Sequence, residues 1–336
     1  MGKFTGVLLA SDYDNTLVNS EAVRLSGGDV PEISRRNLEA LHYFMENGGQ
    51  FTIATGRALP ALESFVNDIP MNAPAVICNG AALYSFDTCE YLDYILLDDA
   101  VAQRCQEVME RFPGTAVEAY PLLESVIYAV RPNEYTRQHE HLTNTSVREV
   151  ASVPDAPLPL TKVILENSHE VLAEIEQYIL QQDWIKGCEI CFTAPTLLEL
   201  TGKGADKGGM LQRLAARLGI SMDHVYCAGD EANDLPMLRV AAEGFAPTTV
   251  WSRCAKAALP LWPTAPTTPW RRLWRSWTSV IRNHAAPAIF AGACFFGVSA
   301  VPPGAAFLAE SAAGGGHRQA AVRGYGKISS CALDKF

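Results

Sequence analysis

Short apolar runs that end in polar residues recur along the chain. They are Val7–Ala10, Gln50–Ala54, Ala75–Cys78 and Val225–Ala228. Apolar runs of this length, bounded by turn residues, are typical of buried strands. Between the first two runs, apolar residues recur at helical spacing over residues 31–47, and two glycines follow as a stop signal. The order strand, helix, strand predicts a parallel sheet and an α/β fold.

The hydrophobic pattern changes between about residues 84 and 192. Stretches rich in β-branched and aromatic residues predict strands there, at 91–97, 115–120, 125–130 and 162–166. Amphipathic helices are predicted at 98–112 and 168–182, and Ser168 is a suitable N-cap for the second. We therefore expect an inserted α+β domain. Leu197–Leu200 is then expected to return the chain from this inserted domain to the core.

Two aspartates end the first predicted strand. In open parallel sheets ligands bind at the carboxyl ends of strands, and side chains two residues apart on extended backbone point the same way. Asp12 and Asp14 are thus expected to face one bound group. A divalent cation relieves the repulsion between two carboxylates, and so does a proton held by one of them. The pair suits a nucleophile and a general acid/base beside a metal; the alternative is an ordinary strand-to-turn junction.

Further polar residues occupy equivalent places. Thr55 and Gly56 follow the second strand and offer a hydroxyl and close backbone amides to a phosphate oxygen. Arg57 is either exposed to solvent or in contact with substrate. Lys207 begins a predicted helix, whose amino end favours anions; the alternative is a surface lysine. Asp230 follows Val225–Ala228 and adds a second strand-end carboxylate, as a Mg²⁺ site requires.

Together these residues resemble the four motifs of the haloacid dehalogenase-like (HAD) phosphohydrolases. The motifs are Asp12–Leu17 (DYDNTL), Thr55–Arg57 (TGR), Lys207–Gly208, and Gly229–Asp230 with Asn233 and Asp234. Their order and spacing are similar to the family's over roughly residues 2–246. Asn15 stands where many family members carry glycine. The arrangement looks most like the Cof-type members, which have a large C2-type cap between the second and third motifs.

The resemblance implies a Rossmann-like HAD core with an inserted α+β cap. The expected boundaries are 1–83 for the first part of the core, 84–192 for the cap, 193–247 for the rest of the core and 248–336 for an atypical basic tail. It also implies a Mg²⁺-dependent phosphomonoester hydrolase that acts on a small phosphorylated metabolite through an aspartyl-phosphate intermediate. Two alternatives stay open: a phosphomutase, and a catalytically impaired protein that binds phosphorylated metabolites.

The resemblance assigns a role to each site residue. Asp12 is expected to be the nucleophile and Asp14 the acid/base. The other roles are phosphate binding by Thr55, Gly56 and Lys207, Mg²⁺ binding by Asp12, the Asp14 carbonyl and Asp230, and orientation of these ligands by Asn233 and Asp234.

Charge and cysteine content limit the partners and the compartment. The 336 residues carry a formal charge of -10, and residues 1–247 hold 35 acidic against 17 basic side chains. Nucleic acid is therefore not an expected partner, because a phosphate backbone binds to basic surfaces. Nine cysteines without a secretory leader predict a cytoplasmic protein with reduced thiols. His139 and His141 lie in a polar helix-like stretch and are expected to be solvated rather than to bind a metal.

The tail at 248–336 differs from the rest of the chain. It holds 10 basic against 2 acidic residues and five of the six tryptophans. One hypothesis is that it is translated out of the ancestral reading frame, which sequencing the gene would test. The alternatives are disorder, an appended interaction domain, and a membrane anchor in the Ala/Gly-rich stretch 285–309, whose prolines make a bilayer crossing unfavourable. No pattern indicates an oligomeric state.

Overall fold

The structure is a computed structural model and describes residues 2–20 and 32–245. The predictions for the basic tail, including the membrane anchor, lie outside these residues. Of the helices that the structure describes, none is both long and apolar enough to cross a membrane.

Thirteen strands occur among the described residues. In chain order they are β1 (Leu8–Ser11), β2 (Gln50–Ile53), β3 (Ala75–Ile77), β4 (Ala82–Ser85), β5 (Glu90–Tyr94), β6 (Ala116–Pro121), β7 (Ile127–Val130), β8 (Val147–Glu149), β9 (Leu160–Glu166), β10 (Cys188–Ala194), β11 (Leu197–Gly202), β12 (Val225–Ala228) and β13 (Glu243–Phe245).

Seven α-helices connect the described strands. They are α1 (Arg35–Glu46), α2 (Leu59–Leu62), α3 (Ala100–Arg111), α4 (Glu134–Thr143), α5 (His169–Leu180), α6 (Lys207–Leu218) and α7 (Leu235–Val240). Helices α5 and α6 begin where the sequence predicts. The hydroxyl of Ser168, for example, accepts the backbone N–H of Val171 at the start of α5, and Asp206 accepts that of Gly209 at the start of α6.

A parallel sheet of four strands has the order β13-β12-β1-β2. Its central strand β1 pairs with β12 on one side and β2 on the other, so that Leu8 lies opposite both Val225 and Gln50. The strand is buried along its whole length, because Met210, Leu211 and other apolar residues of α6 cover one face of the sheet. The predicted α/β fold with a parallel sheet is confirmed.

The remaining strands form two other sheets. The antiparallel sheet β3-β4-β5 adjoins β2 through a bridge between Ala54 and Val76. The larger sheet has the order β10-β11-β9-β6-β7-β8 and is antiparallel except for the pair β7 and β8. Helices α3 and α5 contribute to the hydrophobic core of this larger sheet through Val101, Cys105 and Ile175.

The strand predicted at Leu197–Leu200 lies outside the parallel sheet. The run is expected to return the chain to the core, but β11 pairs antiparallel with β9 and β10 in the six-stranded sheet. An apolar run shows that a strand is buried and does not show in which sheet. The division into core and cap stays a prediction; the six-stranded sheet begins after β5 and continues to Gly202.

Candidate functional site

Three of the candidate side chains lie at the carboxyl ends of adjacent parallel strands. Asp12 follows β1, Thr55 comes two residues after β2, and Asp230 comes two residues after β12. All three are buried. Because β12, β1 and β2 lie side by side in one parallel sheet, their carboxyl ends meet at one edge, which is where ligands bind in such folds.

Lys207 contacts two carboxylates at this edge. Its side chain is 0 % exposed, and its Nζ lies 2.7 Å from Asp12 Oδ1 and 2.6 Å from Asp234 Oδ1. Burial by itself would lower the pKa of Lys207, but the charges and hydrogen bonds of these two carboxylates outweigh burial and raise it. Lys207 is therefore a fixed positive charge beside Asp12.

Asp12, Asp230 and Asp234 form a group of carboxylates whose oxygens lie within 4.8 Å of one another. Burial raises the pKa of Asp12, and the neighbouring carboxylates add to this increase while Lys207 opposes it. Burial also raises the pKa of Asp230, to about 7, against the effect of its hydrogen bond from Thr16. With all three carboxylates ionised, their negative charge would exceed the single positive charge of Lys207. Its hard oxygen donors fit a Mg²⁺ ion.

Asp234 shapes the turn that carries Asp230. Its Oδ2 accepts the backbone N–H groups of Asp230 at 2.8 Å and of Glu231 at 3.0 Å. The other oxygen, Oδ1, contacts Lys207. Asp234 thus holds both the lysine and the backbone beside Asp230, as we expect of a residue that orients a metal ligand.

Asp14 is paired with Arg57 in this structure. The guanidinium donates from Nε to Asp14 Oδ2 and from Nη2 to Oδ1, both at 2.8 Å, and Ser20 donates to Oδ1 at 2.6 Å. Burial would raise the pKa of Asp14, but Arg57 and Ser20 outweigh burial and lower it. Arg57 also lies over the rings of Tyr13 and Phe65. Only 10 % of the Arg57 side chain is exposed. The interpretation of Arg57 as an arginine exposed to solvent is therefore wrong.

Two positions in these loops depend on backbone geometry. Asn15 has a φ of 58°, in the left-handed region that glycine adopts freely and asparagine tolerates better than most residues. This explains why Asn15 can replace a glycine. A Cβ on Gly56 would lie 3.0 Å from the side-chain oxygen of Asn79, so the loop after β2 is closely packed.

A cleft of about 1200 Å³ lies between these loops and the six-stranded sheet. Its lining includes Asp12, Asp14, Thr55, Gly56, Arg57 and Asn233 on one side, and Tyr120, His139, Lys162, Ile164 and Glu199 on the other. The cleft is large enough for a small metabolite.

A chain of hydrogen bonds links the six-stranded sheet to the loops of the parallel sheet. Lys162 Nζ donates to the Gly56 carbonyl at 3.0 Å and to Glu199 Oε2 at 2.9 Å. Glu199 Oε1 accepts from Asn79 at 2.6 Å, and Asn79 in turn accepts from Asn233 at 2.9 Å. Asn79 therefore connects Glu199 of the six-stranded sheet to Asn233 in the loop after β12.

The expectation that His139 is solvated is wrong. His141 is exposed as expected, but the side chain of His139 is only 13 % exposed and contacts two buried glutamates. Its Nδ1 lies 2.9 Å from Glu118 Oε2 and 3.5 Å from Glu166 Oε1. Polar and apolar residues are interspersed along β6 and β9, and such a pattern ordinarily predicts that the polar face is exposed to solvent. The sequence alone therefore could not identify these glutamates as buried.

Comparisons with known proteins find a matching family and related phosphatases. The sequence model of the haloacid dehalogenase-like hydrolases matches residues 9–249. The chain is 23 % identical to the pyridoxal phosphate phosphatase YbhA of Escherichia coli, over 71 % of this chain and 86 % of the relative. It is 27 % identical to an HMP-PP phosphatase of Yersinia enterocolitica, over 70 % of this chain and 82 % of the relative.

Solved structures share the fold. A haloacid dehalogenase-like hydrolase from Bacteroides thetaiotaomicron superposes with a TM-score of 0.62 at 24 % identity, covering 75 % of this chain and 91 % of its own. A sugar phosphatase of HAD subclass IIB superposes with a TM-score of 0.60 at 23 % identity, covering 71 % and 86 % of the two chains.

Proposed function

This chain belongs to the haloacid dehalogenase-like hydrolases, and from that premise we propose that it hydrolyses the phosphomonoester of a small phosphorylated metabolite with the help of Mg²⁺. The observation that carries the proposal is the contact between Lys207 Nζ and Asp12 Oδ1 at 2.7 Å. It places a fixed cation beside a strand-end carboxylate, in a buried group that holds two further aspartates.

Asp12 is the proposed nucleophile. Its carboxylate oxygen attacks phosphorus, the bond from phosphorus to the leaving oxygen breaks, and an aspartyl-phosphate forms, so that one difficult step becomes two easier ones. Lys207, the Thr55 hydroxyl and the Gly56 amide bind the phosphoryl oxygens and stabilise the charge that develops on them. These residues come from the loops after β1 and β2 and from the start of α6.

Asp14 is the proposed acid and base. It gives a proton to the departing alkoxide, and it then takes a proton from the water that attacks the aspartyl-phosphate. The ion pair with Arg57 favours the ionised form of Asp14, which is the form that the second step requires. The first step requires a protonated Asp14. We therefore expect the contact between Arg57 and Asp14 to weaken when substrate is bound.

Mg²⁺ would be held by the carboxylates of Asp12 and Asp230 and by the Asp14 carbonyl, where it would reduce the repulsion between Asp12 and the phosphate. Asn233 and Asp234 would orient Asp230 and the loop around it. The cleft residues of the six-stranded sheet, which we propose as part of a cap, would select the leaving group. We also propose a cytoplasmic location, because the cysteines that the structure describes are free thiols.

The test is turnover of an aryl phosphate and of a panel of phosphorylated metabolites by the full chain with Mg²⁺. We expect Asp12→Asn to reduce kcat by at least about 10³-fold, because the residue that forms the covalent intermediate is lost. The exposed Asp87 supplies a matched control, and Asp87→Asn should keep wild-type turnover. Equal turnover of the wild type and Asp12→Asn would contradict the assignment of the nucleophile.

The same assay separates the two alternatives. A hydrolase releases inorganic phosphate from a monophosphate alone, whereas a phosphomutase needs a bisphosphate primer and returns an isomer of its substrate. Binding of a phosphorylated metabolite without turnover would indicate an impaired enzyme.

A further inference from the structure

A second group of potential metal ligands lies in the six-stranded sheet. Glu118 on β6, Glu166 on β9 and His139 on α4 each point one ligand atom at the others, and these atoms lie within 4.8 Å of one another. The two glutamate side chains are 1 % and 0 % exposed. None of these elements carries a residue of the carboxylate group around Asp12.

Among the residues that the structure describes, one oxygen in this group lacks a hydrogen-bond partner. His139 Nδ1 holds one proton at most, and Glu118 Oε2 at 2.9 Å is the partner within hydrogen-bonding distance. Glu166 Oε2 accepts from the Thr136 hydroxyl, but Glu166 Oε1 is fully buried and has no hydrogen-bond partner among the described residues. A buried carboxylate oxygen without a partner is costly. It therefore points to a bound group that supplies the missing contact.

The spacing of the three residues suits a metal ion. Ligand atoms bound to Zn²⁺ at about 2.0–2.2 Å in tetrahedral geometry lie about 3.3 Å apart, and the distances from His139 Nδ1 to Glu118 and Glu166 are 2.9 and 3.5 Å. Tyr120 donates to Glu118 Oε2 at 2.5 Å, and Thr136 donates to Glu166. Hydrogen bonds of this kind orient carboxylate ligands in metal sites.

We propose that Glu118, His139 and Glu166 bind a divalent transition-metal ion of the Zn²⁺ class. One imidazole and two carboxylates suit this class of ion, whereas Mg²⁺ prefers oxygen ligands alone. The ion contacts Glu166 Oε1 and replaces the proton between His139 and Glu118, so that binding releases a proton. The site does not depend on the proposed phosphatase activity.

The test is equilibrium dialysis of the full chain against Zn²⁺ in excess Mg²⁺, with the bound Zn²⁺ counted per chain. We expect His139→Gln and Glu166→Gln each to bind one Zn²⁺ fewer than the wild type. Two exposed residues supply matched controls: His141, on the same helix, and Glu149. His141→Gln and Glu149→Gln should bind as many ions as the wild type. Sites elsewhere, including those at cysteines, cancel in this comparison.

The same number of bound ions in the wild type and in the variants at positions 139 and 166 would overturn the proposal. So would a wild-type chain that binds no Zn²⁺ at stoichiometric concentration. Circular dichroism checks that each variant is folded. If a variant does not fold, anomalous diffraction at the zinc edge from wild-type crystals decides the question: a peak between Glu118, His139 and Glu166 supports the site, and its absence refutes it.

Discussion

The pairing of Arg57 with Asp14 shows how one contact sets the state of a candidate acid/base. Burial favours the protonated form of Asp14, and the bidentate contact with Arg57 reverses this preference. Guanidinium and carboxylate groups match in geometry, so this contact is both strong and directional. The pKa of Asp14 therefore depends on a residue 43 positions further along the chain.

We expect Arg57→Gln to raise the pKa of Asp14, because the effect of burial is then no longer opposed by a cation. The limb of the pH profile of kcat/KM that reports Asp14 should move to higher pH. Arg137 is more than half exposed and pairs with Glu140 and Glu149, so Arg137→Gln should leave the profile unchanged. An identical profile for Arg57→Gln would show that this ion pair does not control Asp14.

The sequence predicts which residues lie at the ends of strands and helices, but it does not predict most of the residues that they contact. The positions of Asp12, Thr55 and Lys207 follow from local hydrophobic patterns. The contact of Lys207 with Asp12 joins residues 195 positions apart, and local patterns contain no information on such pairs. The buried His139 was missed for the same reason, because its glutamate partners come from two separate strands.

At the scale of elements, α6 is held close to α7 by a glycine. A Cβ on Gly208 would lie 2.5 Å from the backbone of Pro236, whereas a Cβ on Gly209 would lie no closer than 3.3 Å to any atom of the described neighbours. Because Lys207 is the first residue of α6, this close approach also fixes the position of the candidate site.

We expect Gly208→Ala to reduce the free energy of unfolding by about 1–3 kcal/mol, the usual effect of overpacking. Gly209→Ala, one residue further along the same helix, should have a smaller effect, because alanine favours helix by about 1 kcal/mol and the added carbon has more space. Urea unfolding of both variants measures the difference. Equal stability of the two variants would show that α6 can move away from α7.

The helices and the parallel strands were easier to predict from the sequence than the set of strands that form the six-stranded sheet. Ser168 marks the start of α5, because an N-cap is a local signal. The strand predicted at Leu197–Leu200 exists, but it lies in the six-stranded sheet. A buried strand of an antiparallel sheet has the same apolar run as a strand of a parallel sheet, so the run does not distinguish the two. Sheet membership is a property of the complete fold.

At the scale of the whole molecule, the pair Lys162 and Glu199 joins the six-stranded sheet to the loops beside the parallel sheet. Both side chains are buried, at 4 % and 2 % exposed. Lys162 contacts the Gly56 carbonyl and Glu199 contacts Asn79, so the loss of one charge affects both sides of the cleft.

We expect Glu199→Gln to destabilise the protein by about 3–5 kcal/mol, because the buried ammonium of Lys162 then loses the carboxylate to which it is hydrogen-bonded. The pair Lys203 and Glu189, at the end of β11 and on β10, is a matched control, since both of its side chains are more than a third exposed. Glu189→Gln should cost much less, because an exposed ion pair contributes little to stability. Thermal and urea unfolding give both values, and a cost for Glu199→Gln as small as the control's would refute this expectation.

The position of β1 between β2 and β12 has a consequence for synthesis on the ribosome. Leu8 pairs with Gln50 and with Val225, and every strand of the six-stranded sheet is translated between these two neighbours. At about 5–20 residues per second, Val225 is added about 10–40 s after Leu8. During that interval the first strand of the nascent chain has at least one open edge, and such edges bind other chains.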